Sequence, residues 1–253
     1  MDKPSAAFTQ FLPCLALFLL VELPLSATDP PPLRVALFDD AGSAGKGVPR
    51  VQELLGKVKD IQLTVLKAAD IQAGLDGYDV VIFTGGSGSK QAATIGDKGR
   101  EQAHKFVENG GGYVGICAGA YLACDGFSWG LHVLNAKTPS AKWQRGRGDV
   151  KLEFTEAGQK TLGFPAGQMD VHYANGPILI SAGDKTLEDF EPLAFFRTEL
   201  AEHDSPKGVM VNSAAIVRGK FGKGRVLVSS PHPEQTPGMD AFVEHAVRWV
   251  AGK

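Results

Sequence analysis

One stretch constrains the fold more than any other: Gly110 to Cys124, which reads Gly-Gly-Gly-Tyr-Val-Gly-Ile-Cys-Ala-Gly-Ala-Tyr-Leu-Ala-Cys. Glycines open it, a short apolar run follows, and Cys117 sits between Gly115 and Gly119 before a run of good helix formers. A strand that turns sharply into a helix with a reactive side chain at its apex has this form. The apex backbone is strained, so its neighbours must be tiny. The apex sulfur then lies at a helix N-terminus, where free N–H groups and the macrodipole favour thiolate.

The text on either side supports a sheet that such an elbow can crown. Leu33–Phe38, Ile61–Leu66, Tyr78–Phe83 and Gly112–Ile116 read as apolar, β-branched strands. Helical spacing is predicted between them over 48–58, 69–75 and 97–108. Strands apolar on both faces and alternating with helices predict a mostly parallel sheet covered on both sides, an α/β three-layer fold of the flavodoxin-like kind. After Cys124 the pattern changes. Short strands are expected at 150–154, 169–173, 178–181 and 193–196, then a hairpin, 214–220 with 224–229, across Phe221-Gly222-Lys223. With no long helix between them, these predict an antiparallel extension. A helix over 239–250 closes the chain.

Residues 1–27 have the layout of a signal peptide: Lys3, an apolar run from Phe11 to Val21, then Pro24, Ser26 and Ala27. That run is too short to span a bilayer. The expectation is a mature domain over 28–253, secreted or periplasmic, with no stable membrane span after cleavage. Its roughly 225 residues suit one large domain with a single core. A formal net charge of −2 gives no electrostatic case for nucleic acid. The basic run Lys142-Trp143-Gln144-Arg145-Gly146-Arg147 reads as a solvated loop. Cys14 leaves with the signal. Cys117 and Cys124, seven residues apart along a helix, are separated by roughly 10 Å, beyond the roughly 7 Å a disulfide tolerates. Both thiols are expected free, with Cys124 a small buried hydrophobe.

A cysteine nucleophile needs a base and a group that orients the base. His232-Pro233-Glu234 follows a predicted strand end, where loops of a parallel sheet gather into a crevice. In an extended segment His232 and Glu234 project to the same side, with Pro231 and Pro233 stiffening it against helix. The alternative is a surface loop. Gly85 and Gly86 end an apolar strand and, with the Ala118 N–H after the nucleophile, supply donors for an oxyanion, or else form a plain turn. His172 and Asn175, in His-Tyr-Ala-Asn-Gly-Pro, either wall the pocket or build a turn. Asp39 and Asp40 either bind a cationic group or cap a turn. No cofactor is expected. Nor is a metal: His104, His132, His172, His203, His232 and His245 show no ligand spacing, and His104 and His245 fall on amphipathic helices.

These pieces, in this order, resemble the class I glutamine amidotransferase-like superfamily. Within it, Phe38-Asp39-Asp40, Gly-Ile-Cys-Ala-Gly-Ala-Tyr and Ser-Pro-His-Pro-Glu look most like the amidotransferase-like N-terminal domain of eukaryotic biotin–protein ligases. The resemblance implies Cys117 as nucleophile, His232 as base and Glu234 as orienting acid. It does not imply ligase activity, since the sequence offers no nucleotide loop for activating biotin. The leading expectation is an exported cysteine hydrolase acting on a small-molecule or peptide amide or related carbonyl. The alternative is a catalytically silent small-molecule or protein-binding module on the same scaffold.

Overall fold

The computed structural model describes residues 1–2 and 31–253. The expected signal peptide, and Cys14 with it, falls outside the described residues.

In chain order the elements are β1 (Leu33–Phe38), α1 (Gly47–Leu55), β2 (Ile61–Leu66), α2 (Ala68–Ala73), β3 (Val80–Phe83), α3 (Gly88–Glu108), β4 (Gly112–Ile116) and α4 (Ala118–Ala123). They continue with β5 (Ala136–Lys137), β6 (Arg147–Phe154), α5 (Glu156–Leu162), β7 (Gln168–Ala174), β8 (Ile180–Ser181) and β9 (Glu191–Phe196). β10 (Ala214–Phe221), β11 (Gly224–Ser229), a 3-10 turn (Pro233–Gln235) and α6 (Phe242–Val250) end the chain.

Nine strands form one sheet in the order β2-β1-β3-β4-β11-β10-β9-β6-β7. β2, β1, β3, β4 and β11 run parallel, and β10, β9, β6 and β7 add antiparallel pairs. The predicted α/β sheet with its antiparallel extension is the observed one. The hairpin returns β11 to the centre of the sheet beside β4, so the chain's last strand delivers its C-terminal loop next to the elbow.

Two apolar layers follow from strand alternation. Val35, Leu37, Ile82, Val114 and Leu227 face α1 and α6 through Val51, Leu55, Phe242 and Val247. Ala36, Phe38, Val81, Phe83, Tyr113 and Val228 face α2, α3 and α4 through Ile71, Ile95, Val107 and Leu122. Phe38, Phe83 and Tyr113 stack across β1, β3 and β4 with ring centroids 4.9 and 5.8 Å apart. A fully buried phenylalanine of this kind contributes about 1.5–3 kcal/mol, which anchors the strands that carry the cleft loops.

Several expectations need correction. The helix predicted over 97–108 is present as the second segment of α3, and an unexpected first segment precedes it from Gly88, the two parted by Gly96 at φ 65°. The apolar spacing is diluted by Gly and Ser there, and Ser87 Oγ accepts from the Lys90 N–H to start the first segment. Ile180–Ser181 does not extend the large sheet but pairs with β5 in a two-stranded sheet of its own. Arg145 is not solvated but only 3% exposed, and Arg147 already belongs to β6. The short helix α5, capped by the Thr155 hydroxyl, lies between antiparallel strands where only loops were expected.

Candidate active site

β4 enters the elbow at Ile116 and α4 leaves it at Ala118, and Cys117 between them has φ 53° and ψ −97°. A non-glycine residue at positive φ is strained and persists only where its surroundings hold it. The hold is visible. The Cys117 N–H donates to the Ser229 carbonyl at 2.8 Å, tying the elbow to the end of β11. The Tyr113 hydroxyl, fully buried, donates to the Gly119 carbonyl at 2.7 Å and fastens α4 to β4. The small flanking residues are sterically required: a Cβ on Gly119 would stand 2.1 Å from the Phe83 carbonyl oxygen, and one on Gly115 2.6 Å from the Gly119 oxygen.

His232 and Glu234 come together by a different route from the one expected. The segment is not extended. Pro233 opens a 3-10 turn, a position where a missing N–H costs nothing, with His232 as the residue before it. One tight turn thus sets His232 Nδ1 2.8 Å from Glu234 Oε1. Both are buried, at 5% and 1% exposure. The turn is pinned from outside by His232 N–H to the His172 carbonyl at 2.7 Å and by Arg50 Nε to the Glu234 carbonyl at 3.1 Å. A carboxylate can only accept, so Nδ1 carries the proton and Nε2 is left free to act on a neighbour. Gln235 Nε2 is 2.9 Å from Glu234 Oε1 and gives the carboxylate a second donor.

Burial acts to lower the His232 pKa, but hydrogen bonding to Cys117 and Glu234 and the negative charge on both outweigh it and push it up to about 10. The imidazolium is therefore favoured when the sulfur and carboxylate are charged. As a neutral thiol, Cys117 donates to the Ala174 carbonyl at 3.4 Å. As a thiolate it has the imidazolium beside it. Cys117 is 6% exposed, on the side that lines a cleft.

Cys117 and His232 open into a cleft of about 370 Å³ that Gly85, Gly86, His172 and Ala174 also line. Gly85 makes room for the base: a Cβ there would stand 2.8 Å from His232 Cε1. Gly86, at φ 138°, lies so close to the Gly42 carbonyl that a side chain would collide with it. The Gly86 and Ala118 N–H groups donate to no group among the described residues. Asn175 does not line the cleft. Its Oδ1 accepts from the Gly146 N–H at 2.8 Å and its carbonyl from the Tyr121 hydroxyl at 3.1 Å, so it builds the turn. Asp40 caps, accepting from the Ala41 and Ala68 N–H groups at 2.7 and 3.0 Å, and Asp39 pairs with Lys67 at 3.2 Å. His104 and His245 bond the Leu131 and Leu162 carbonyls at 2.7 and 2.6 Å and serve packing. Among the described residues no cluster of His, Cys, Asp or Glu is arranged to hold a metal.

Four long polar side chains of the cleft escaped sequence reasoning, Lys46, Lys90, Arg147 and Gln235, as did its Ser43–Gly45 wall. Only Gln235 had a local signal, its adjacency to His-Pro-Glu. Arg147 reaches the cleft because β6 pairs with β7 in a register that sets it opposite Ala174. A larger hollow of about 650 Å³, edged by Glu156, Lys160, Arg218, His245 and Arg248, holds no nucleophile. Its arginines are already paired, Arg248 with Asp60 and Arg218 with Glu191.

Comparison with known proteins bears on the fold. The family model "Biotin-protein ligase, N terminal" matches residues 41–137. An uncharacterized protein of Chlamydia muridarum (strain MoPn / Nigg) is 24% identical over 172 residues, covering 66% of this chain and 65% of its own length. Among solved structures, PurLQS from Thermotoga maritima superposes with a TM-score of 0.62 at 16% identity, over 86% of this chain and 99% of the other. A glutamine amidotransferase superposes with a TM-score of 0.58 at 21% identity, over 87% and 99%. The chain has the class I glutamine amidotransferase-like fold, and within it residues 41–137 match the biotin–protein ligase N-terminal family.

Proposed function

We propose that the protein is a cysteine hydrolase that uses Cys117, His232 and Glu234 for acyl transfer on an amide or related carbonyl. The observation that carries the reading is the buried His232–Glu234 contact at 2.8 Å, made in the same cleft as a cysteine held at φ 53°. A surface His-Pro-Glu loop has no reason to bury an ion pair, and an ordinary strand end has no reason to strain a cysteine.

The steps follow from the groups present. The Cys117 thiolate attacks the carbonyl carbon, and the oxygen takes up the negative charge against the Gly86 and Ala118 N–H groups. The His232 imidazolium gives its proton to the departing amine, and the C–N bond breaks to leave a thioester on Cys117. Neutral His232 then takes a proton from water. The resulting hydroxide displaces the sulfur, and the acid leaves as the thiolate–imidazolium pair re-forms. Glu234 keeps the proton on Nδ1 and offsets the imidazolium charge throughout.

Export belongs to the same proposal, on the strength of the basic, apolar and small-residue order of the first 27 residues. N-terminal sequencing of protein recovered from its host should begin near Thr28, and a start at Met1 refutes export. The catalytic reading is tested by alkylating Cys117 with iodoacetamide across pH. Rapid labelling well below the free-thiol pKa of about 8.5 is expected. Labelling that rises only above that value overturns it and favours the second reading, a silent binding module. One observation supports that alternative, the Cys117 thiol's bond to the Ala174 carbonyl at 3.4 Å, which competes with His232 for the sulfur's proton.

A further inference from the structure

Three cations from three separate segments face the same cleft as Cys117. Lys46 precedes the first residue of α1, Lys90 lies in the first turn of α3, and Arg147 opens β6. All three are exposed, and none has an acidic partner or a side-chain hydrogen bond among the described residues. No Asp or Glu lines the cleft with them.

What sets the three apart is their convergence on one cleft without an acid among its lining residues. The chain carries 28 acids against 26 lysines and arginines, so a basic patch is not forced by composition. Elsewhere some cations are paired, as Arg34 with Asp79 and Lys151 with Asp170, and others such as Lys59, Lys98 and Lys220 stand alone among the described residues, but these three meet in one cleft beside a cysteine. Glu234 lies buried behind His232, and Asp149 sits 3.7 Å from His172 at the rim. Gathering like charges in a concave site is unfavourable until an anion enters, and low-dielectric walls strengthen the attraction when it does. The N-termini of α1 and α3 open on the same side and add their partial positive charge.

The cations also stand where they can reach a bound acyl compound. Arg147 is the cross-strand partner of Ala174, whose carbonyl touches the Cys117 sulfur. Lys46 adjoins Gly47, where a Cβ would come within 3.5 Å of Glu234 Oε1. From these placements we infer that the substrate is anionic: an amide or related acyl compound whose flanking part carries a carboxylate or phosphate held by Lys46, Lys90 and Arg147. The inference rests on the proposed acyl-transfer site and names its substrate class.

Two alkylating agents of the same shape read the charge preference. Iodoacetate and iodoacetamide are compared on Cys117 at low ionic strength, each rate divided by its rate on 2-mercaptoethanol. The anionic reagent should be favoured at least about tenfold, by attraction that salt screens. The preference should fall to within about twofold in the triple variant Lys46→Gln, Lys90→Gln, Arg147→Gln, and in about 0.5 M salt. Fast iodoacetamide labelling with no anionic preference, or a preference unchanged in the triple variant, overturns the substrate class and leaves the nucleophile standing. A Cys117 inert to iodoacetamide overturns the nucleophile instead, and the anion site is then judged without it. In Cys117→Ala at matched ionic strength, succinate or inorganic phosphate should raise the melting temperature, the larger shift telling carboxylate from phosphate. Succinamide should not, and the rise should vanish when the three cations are removed. Equal shifts for all three compounds, or shifts that survive the triple substitution, overturn the proposal.

Discussion

The six-residue helix α4 carries a cysteine at each end, and the two differ in almost every physical respect. Cys117, before its N-terminus, is strained, reaches a cleft and has an imidazole beside it. Cys124, at its C-terminus, is fully buried, has ordinary extended backbone and donates to the Ala120 carbonyl at 3.2 Å. Burial pushes the Cys124 thiol up to about 12, with Asp125 adding to the effect. One helix thus holds a sulfur that its surroundings prepare for charge and another that they forbid to ionise. A cysteine's chemistry is set by which end of an element it occupies and what faces it, not by the residue type.

The sharpest test of the contrast removes one sulfur. Cys117→Ala should lower acyl-transfer turnover at least about a thousandfold, as loss of a nucleophile does in a cooperating set. It should also abolish labelling under native conditions, whereas Cys124 should label only when the protein unfolds. Mass spectrometry of the labelled peptides checks both, and native labelling of Cys124 would break the comparison.

The next effect is steric. Gly119→Ala sets a methyl against the Phe83 carbonyl, 2.1 Å from where its Cβ must lie, and should destabilise the fold by about 3 kcal/mol or more. Denaturant melts measure it. A loss under about 1 kcal/mol would mean that the elbow relaxes easily and is less strained than its dihedral angles imply. Tyr113→Phe, which leaves the buried Gly119 carbonyl without its 2.7 Å partner, should cost about 1–3 kcal/mol. If the elbow needs that tie, the variant should also slow Cys117 labelling.

Glu234→Gln sharpens the electrostatic half. Without the carboxylate His232 loses one of the two partners that raise it, its pKa falls, and Cys117 labelling near pH 6 should slow roughly tenfold, one pKa unit's worth. The sign for stability follows from the raised value. The protonated ring stabilises the folded state fully below about 6.5, and that contribution is lost as pH rises through about 10. Melting curves between those values should therefore converge for the native protein and Glu234→Gln toward the alkaline end. The smallest effect belongs to Cys124→Ala, about 1 kcal/mol for a lost buried sulfur, with acyl transfer unchanged.

Much of this was legible in the chain before any coordinates. β4 and β11 fall where apolar runs open on a glycine, Gly112 and Gly224, because strand text buried on both faces is continuous. The elbow announced itself because a strained apex tolerates only glycine-sized neighbours, a demand written within five residues. His232 and Glu234 were legible as a pair, but their geometry was not. Two prolines read as extended, while Pro233 in fact opens a tight turn, since the hydrogen bonds from Thr236, Gln235 and Arg50 that close it come from tertiary packing or from beyond the motif. The segment Gly88–Ile95 was missed because its helix rests on a serine cap and on packing against the sheet, not on a clear apolar period.

Local sterics and hydrophobic alternation act between neighbours along the chain, so the parallel sheet, the strained cysteine and the histidine–glutamate pair were all readable there. The cationic rim, the buried Arg145 and the turn role of Asn175 were not. Each depends on strand register and on which loops share a cleft, and those are decided only when segments more than a hundred residues apart pack together. Charge has long reach in space and no period in sequence, and for that reason only the folded molecule shows where Lys46, Lys90 and Arg147 meet.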